Sequence, residues 1–132
     1  MDNSTYADGL HIIVADDNED GAKTLAMLLR LSGVEAIACC SGPEAFEAAI
    51  ADPPDAILSE LWLPGMDGGE LVRRLREREE LRDALLIAVT AWADEQSRRM
   101  AQEAGFQLFY VKPLGDEEIE EILRQARRSK EG

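Results

Sequence analysis

Five polar residues carry the chemical potential of this chain: Asp16, Asp17, Glu60, Thr90 and Lys112. Each sits at the end of an apolar run. Asp16 and Asp17 follow Ile12-Ile13-Val14-Ala15, and Glu60 follows Ala56-Ile57-Leu58-Ser59. Thr90 follows Leu85-Leu86-Ile87-Ala88-Val89, and Lys112 follows Phe109-Tyr110-Val111. If those runs are parallel strands, all five groups meet at one edge of a sheet. Three carboxylates, one lysine and one hydroxyl suit a hard divalent cation and a phosphoryl group. A carboxylate can attack phosphorus to give an acyl phosphate. That attack brings two negative groups together, so the site must supply positive charge. A magnesium ion held by carboxylates and a backbone carbonyl, keeping several waters, supplies part of it. A lysine and a hydroxyl can hold other phosphoryl oxygens.

The elements that must position these groups are legible as an alternation of strand and helix, five times over. Val34 to Cys39 supplies a further strand, whose mixed character suits a less buried edge. Leu25, Leu28 and Leu29 mark a first helix, closed by Gly33 just beyond its end. Ser41-Gly42-Pro43-Glu44 reads as a capping box opening a second, with Phe46, Ala49 and Ile50 on its apolar face. Leu71, Val72 and Leu75 mark a third. Met100, Ala101 and Ala104 mark a fourth, stopped by Gly105. Asp116 is expected to cap a fifth, with Ile119, Ile122, Leu123 and Ala126 facing inward. Alternating βα units imply a parallel sheet covered by helices on both faces. Ligands of such sheets sit beyond the carboxyl ends of the strands, where the five polar groups lie.

Composition narrows the class. At 132 residues the chain is one domain. Apolar content of 45% and charged content of 31% are ordinary for a soluble protein. No apolar stretch approaches the ~20 residues of a membrane span, and the start lacks the marks of a signal peptide. The net charge of −13 disfavours nucleic acid and anionic membrane as direct partners. The two cysteines are adjacent, Cys39 and Cys40, and would point to opposite faces of a strand; a reducing cytoplasm is the expected location. Residues 1–9 read as a flexible tail, 10–128 as the domain and 129–132 as a second tail, with fraying from Arg127 onward. His11 has no evident catalytic partner. Arg73, Arg74, Arg76 and Arg78, mixed with Glu77, Glu79 and Glu80, read as a solvated helix face. Gly65, Gly68 and Gly69 read as turn geometry rather than a phosphate loop.

Taken together, Val14-Ala15-Asp16-Asp17-Asn18-Glu19-Asp20, Leu63-Pro64-Gly65-Met66-Asp67-Gly68, Val89-Thr90-Ala91 and Val111-Lys112-Pro113 carry a resemblance. In order and spacing the chain resembles the receiver domains of two-component response regulators over essentially its whole length. The resemblance implies an α/β, flavodoxin-like, doubly wound five-stranded parallel sheet of order 2-1-3-4-5, with five helices on both faces. It implies that Asp17 ligates magnesium directly, Asp16 largely through water, and that Glu60 and the Trp62 backbone carbonyl complete the set. Manganese would serve as well, and binding would be weak. It assigns Thr90 and Lys112 to the phosphoryl group and implies a cis Lys112-Pro113 bond. Thr90 and Phe109 would form the switch, the aromatic moving inward as the threonine moves. Expected partners are a histidine kinase or phosphotransfer protein, and a downstream protein docked on the face of the fourth helix, fifth strand and fifth helix. A homodimer through that face is also expected.

One departure is central. The family carries its phosphoacceptor Asp four residues before the proline of the Leu-Pro-Gly-Met-Asp-Gly turn, and this chain carries Glu60 there. The extra methylene pushes the carboxylate outward by ~1.5 Å. A misplacement of about 1 Å can cost on the order of 100-fold in rate. Glu60 is therefore expected to be a poor phosphoacceptor, or a partial mimic of the phosphorylated state that reaches Lys112, Thr90 or the metal. A single carboxylate charge is less than that of a phosphoryl group. Trp62 and Trp92 either shield the pocket or pack on its surface loops. A phosphorylatable receiver, from a hybrid histidine kinase or a single-domain response regulator, is the alternative. A magnesium-dependent phosphatase fits less well, because the chain leaves no room for a cap. A flavin carrier fits poorly, because the acidic loop after the first strand would repel the flavin phosphate.

Overall fold

The computed structural model describes residues 9–131. Five strands, β1 (His11–Ala15), β2 (Glu35–Cys39), β3 (Ala56–Ser59), β4 (Leu85–Thr90) and β5 (Leu108–Val111), form one parallel sheet. Its order is β2-β1-β3-β4-β5. Five helices join them: α1 (Glu19–Leu31), α2 (Gly42–Ala51), α3 (Gly68–Arg76), α4 (Glu95–Ala104) and α5 (Asp116–Glu131), with a 3-10 turn at Glu79–Leu81. Register does the positioning. Ala15 pairs with Cys39 and Ser59, Ser59 with Ala88, and Thr90 with Val111. The residues that follow or end these strands therefore share one edge.

Alternation along the central strands divides the core into two layers. Ile13, Ile57 and Leu86 point to one face and pack with Leu71, Val72 and Leu75 of α3. Ile12, Val14, Leu58 and Ile87 point to the other and pack with Ala22, Ala26 and Leu29 of α1 and Ile119, Ile122 and Leu123 of α5. Burying each Leu or Ile side chain this completely contributes about 1.5–3 kcal/mol relative to an exposed one. The buried faces of α3 and α5 are those expected from their spacing.

The first helix differs from expectation. Its buried stripe is Ala22, Ala26 and Leu29, while Leu28 is exposed together with Met27 and Leu31. Alanines let α1 approach the sheet closely, and the helix turns Leu28 away. Asp116 does not cap α5. The helix already includes it, the Gly115 carbonyl accepts from the Ile119 amide, and Glu118 reaches back to the Gly115 amide at 2.8 Å. The C-terminal segment also differs: α5 runs to Glu131, through the residues expected to fray. Lys130 holds it down, with Nζ 2.9 Å from the Gly9 carbonyl oxygen and 3.6 Å from Asp55. The N-terminal tail expected over 1–9 lies, apart from Gly9, outside the described residues.

Local chemistry explains the other boundaries. Asn18, Ser41, Asp67 and Asp94 each accept an amide of the first turn of the helix that follows. The Glu44 amide donates to the Ser41 hydroxyl oxygen at 3.2 Å, but the Glu44 carboxylate accepts the Cys40 amide, one residue before the position a capping box would use. Gly105 ends α4 at φ +110° and Gly33 follows α1 at φ +93°, both in the left-handed region.

Candidate functional site

Lys112 leaves the end of β5, and the Lys112-Pro113 bond is cis as expected. Its ammonium bridges two carboxylates, 2.5 Å from Asp16 Oδ2 and 3.0 Å from Glu60 Oε1. Both carboxylates are buried, at 7% and 8% exposure. Each spends its second oxygen on backbone: Asp16 Oδ1 accepts the Asn18 amide at 3.0 Å, and Glu60 Oε2 accepts the Leu61 amide at 2.7 Å. Burial alone would push the Lys112 ammonium down. Hydrogen bonds to Asp16 and Glu60, with their charges, outweigh it and hold the lysine above its ordinary value.

The other expected members take different positions. Asp17 is exposed and has no hydrogen bond or ion pair among the described residues. Thr90 is fully buried, and its hydroxyl accepts the Trp92 amide at 3.3 Å. It makes no hydrogen bond to Glu60 among the described residues. Glu60 thus meets Lys112 and not Thr90. Trp62 and Trp92 are exposed, at 50% and 59%, so they stand on the surface rather than closing over the pocket. Beside Asp16 and Lys112 a cleft of about 430 Å³ opens between α1 and the β5–α5 connection, with Thr24, Leu25 and Leu28 on its wall.

The donor set suits a hard cation. Asp16, Asp17 and Glu60 carry three negative charges against the one of Lys112. Asp17 has no partner among the described residues, and a carboxylate oxygen that already accepts one hydrogen bond retains a lone pair for a metal. The turn that carries the Trp62 carbonyl is tightly fixed. A Cβ at Gly68 would lie 3.0 Å from the Glu60 carbonyl oxygen, and one at Gly42 would lie 2.1 Å from the Met66 carbonyl oxygen. Glycine at both positions lets α2 and α3 close on the loop.

Phe109 and Tyr110, adjacent on β5, face opposite layers. Phe109 is half-buried against the α3–α4 side, and the Arg98 guanidinium of α4 stands 4.7 Å from its ring centre. Tyr110 packs on the α1–α5 side and donates its hydroxyl to Glu121 Oε1 at 2.7 Å. Burial, then that bond to a carboxylate, pushes the phenol well up.

Sequence reasoning assigned Asp16 to a metal and missed its second role as a lysine partner. The Leu61 amide was missed too. The imbalance of three carboxylates around one lysine was the available signal for the first. Nothing in residue type marks a backbone amide.

Comparison with known proteins agrees with this architecture. The family model for the response regulator receiver domain matches residues 12–124. The polar-differentiation response regulator DivK of Brucella ovis is 35% identical over 103 residues, 78% of this chain and 84% of that protein. The receiver domain of sensor histidine kinase PA1611 from Pseudomonas aeruginosa PAO1, solved with a magnesium ion in its active-site cleft, superposes with a TM-score of 0.81. It is 28% identical and covers 94% of this chain and 99% of its own. Chemotaxis response regulator CheY4 of Vibrio cholerae, 21% identical, shares the fold with a TM-score of 0.81 over 89% of this chain and 98% of its own. With its strand order, its helices and the family match over 12–124, the chain belongs to the response regulator receiver domains of two-component signal transduction.

Proposed function

We propose that this receiver is atypical: Glu60 replaces chemistry with a permanent contact, and output runs through protein–protein interaction. The carrying observation is the position of Glu60, with one oxygen on Lys112 at 3.0 Å and the other on its own neighbour's amide at 2.7 Å. These contacts hold the longer side chain in one pose, displaced from where an aspartate carboxylate would stand to attack phosphorus, and such a misplacement costs rate steeply. The pairing reproduces the lysine contact of a phosphoryl group and leaves Thr90 unrecruited, so the mimicry is partial. Ligand-like contacts shift an equilibrium only by what they gain in one state over the other. A lone lysine contact therefore biases Phe109 incompletely toward its inward position.

Around that centre, Asp16, Asp17, Glu60 and the Trp62 carbonyl would hold magnesium or manganese weakly, the ion neutralising excess carboxylate charge. A histidine kinase or phosphotransfer protein remains the upstream partner class. The surface of α4, β5 and α5, with Trp92, Arg98, Phe109 and Tyr110, is the docking or dimerisation face. The cytoplasm is the compartment, and the domain is a signalling module rather than an enzyme. Intact mass after phosphoramidate or acetyl phosphate treatment with magnesium tests this reading. The mass should stay unchanged, and Glu60→Asp should gain one phosphoryl group. An adduct mapped to Glu60 in the unaltered chain would overturn it.

A further inference from the structure

We infer that His11, Glu35 and Asp52 form a second cation site, of zinc type, at the sheet edge opposite Lys112. His11 opens β1, and about 17 Å of strand, at ~3.3 Å per residue, separates it from Asp16. Its imidazole is buried, with 9% of the side chain exposed, yet neither ring nitrogen has a hydrogen-bond partner among the described residues. Buried nitrogens left unsatisfied cost free energy and are uncommon. Two carboxylates face this ring. Glu35, the register partner of His11 at the start of β2, stands 3.9 Å from Nδ1, and Asp52, which ends α2, stands 3.5 Å from Nε2. One nitrogen and one oxygen from each acid lie within 4.8 Å of one another.

That separation is wider than a bound ion needs. Zinc bonds of about 2.0–2.2 Å place tetrahedral ligand atoms roughly 3.4 Å apart. The two acids can close the difference because their side chains are 49% and 68% exposed. The histidine is held in place. Its backbone amide donates to Asp55 Oδ2 at 2.8 Å, and Asp55 is further engaged by Lys130, so Asp55 anchors the site without joining it. An imidazole with two carboxylates favours a borderline transition ion over magnesium or calcium, which prefer all-oxygen sites. Water would complete the coordination. A bound ion would tie β2 and the end of α2 to β1, away from the phosphoryl site.

The test is a zinc titration of the full chain, read at the His11 imidazole nitrogens by NMR and by calorimetry. We expect one of the two ring nitrogens to shift on zinc addition, and cobalt(II) to bind without a thiolate charge-transfer band. Glu35→Gln and Asp52→Asn alter exposed side chains and should each weaken the His11 response by about tenfold or more. Cys40→Ser and Asp17→Asn should leave it unchanged. An unmoved imidazole at millimolar zinc would overturn the site. So would a response intact in both acid variants, or one lost with Cys40→Ser or Asp17→Asn.

Discussion

Lys112 is the residue on which the acidic pocket balances. It holds two buried carboxylates together, and with 30% of its side chain exposed it is itself only partly withdrawn from water. Removing one partner from such a cluster leaves like charges uncompensated. Lys112→Met should therefore lower stability by about 1–3 kcal/mol, measured by urea denaturation in chelator. The loss carries a pH signature. A lysine whose folded pKa is raised contributes stability in full below its unfolded value, ordinarily 10.5, and loses it as pH rises through the folded value. The difference between the unaltered chain and Lys112→Met should be flat through neutral pH and shrink only above about 10.5. Tyr110 titrates with the same sign, which is why the difference, rather than either curve alone, reports Lys112. A gap that closed already near neutrality would mean that the lysine's ion pairs do not support the fold.

Among the elements, the start of α2 lies hard against the loop that leads into α3. Gly42 opens α2 against the carbonyl of Met66, and an added methyl would sit far inside contact distance. Gly42→Ala should cost about 3 kcal/mol, seen as a lower urea midpoint at unchanged slope. A smaller loss would show that the loop from Leu63 to Met66 yields easily. Helix faces and strand ends were legible in sequence because both follow from periodicity: α3 and α5 bury the residues their spacing marks. Leu28 was misread because alanine, the closest-packing residue of α1, barely registers as apolar in a pattern. Asp116 was misread because a carboxylate before a helix can stand at its cap or one residue inside, and Glu118 took the capping role. At the site, register brought Asp16, Glu60, Thr90 and Lys112 to one edge as expected. Their pairing was not legible, since residue types alone do not say which carboxylate oxygen meets the lysine and which a backbone amide. His11 had no visible partner because Glu35 and Asp52 reach it only through strand pairing and the end of another helix.

The molecule as a whole carries a net charge of −13, and much of it must repel itself in the folded state. Salt screens such repulsion over about 10 Å at 0.1 M. The melting temperature should rise by a few degrees between low salt and physiological ionic strength, followed by circular dichroism without added divalent ion. A melting temperature that fell with salt would mean that ion pairs such as Lys23–Glu19 and Arg74–Glu70 outweigh the excess of acids. The same field sets the character of partners. Basic surfaces will be drawn in, and their association will slow as salt rises.

The contact between Glu60 and Lys112 has a consequence in time. An acyl phosphate is made and hydrolysed, so a receiver that depends on one keeps a record of recent events and then erases it. A side-chain carboxylate is installed at translation and never decays. On the reading proposed above, this pocket holds no clock: its setting is constant through the life of each molecule. Information can then enter by how many copies are made, how long they last and which proteins compete for them.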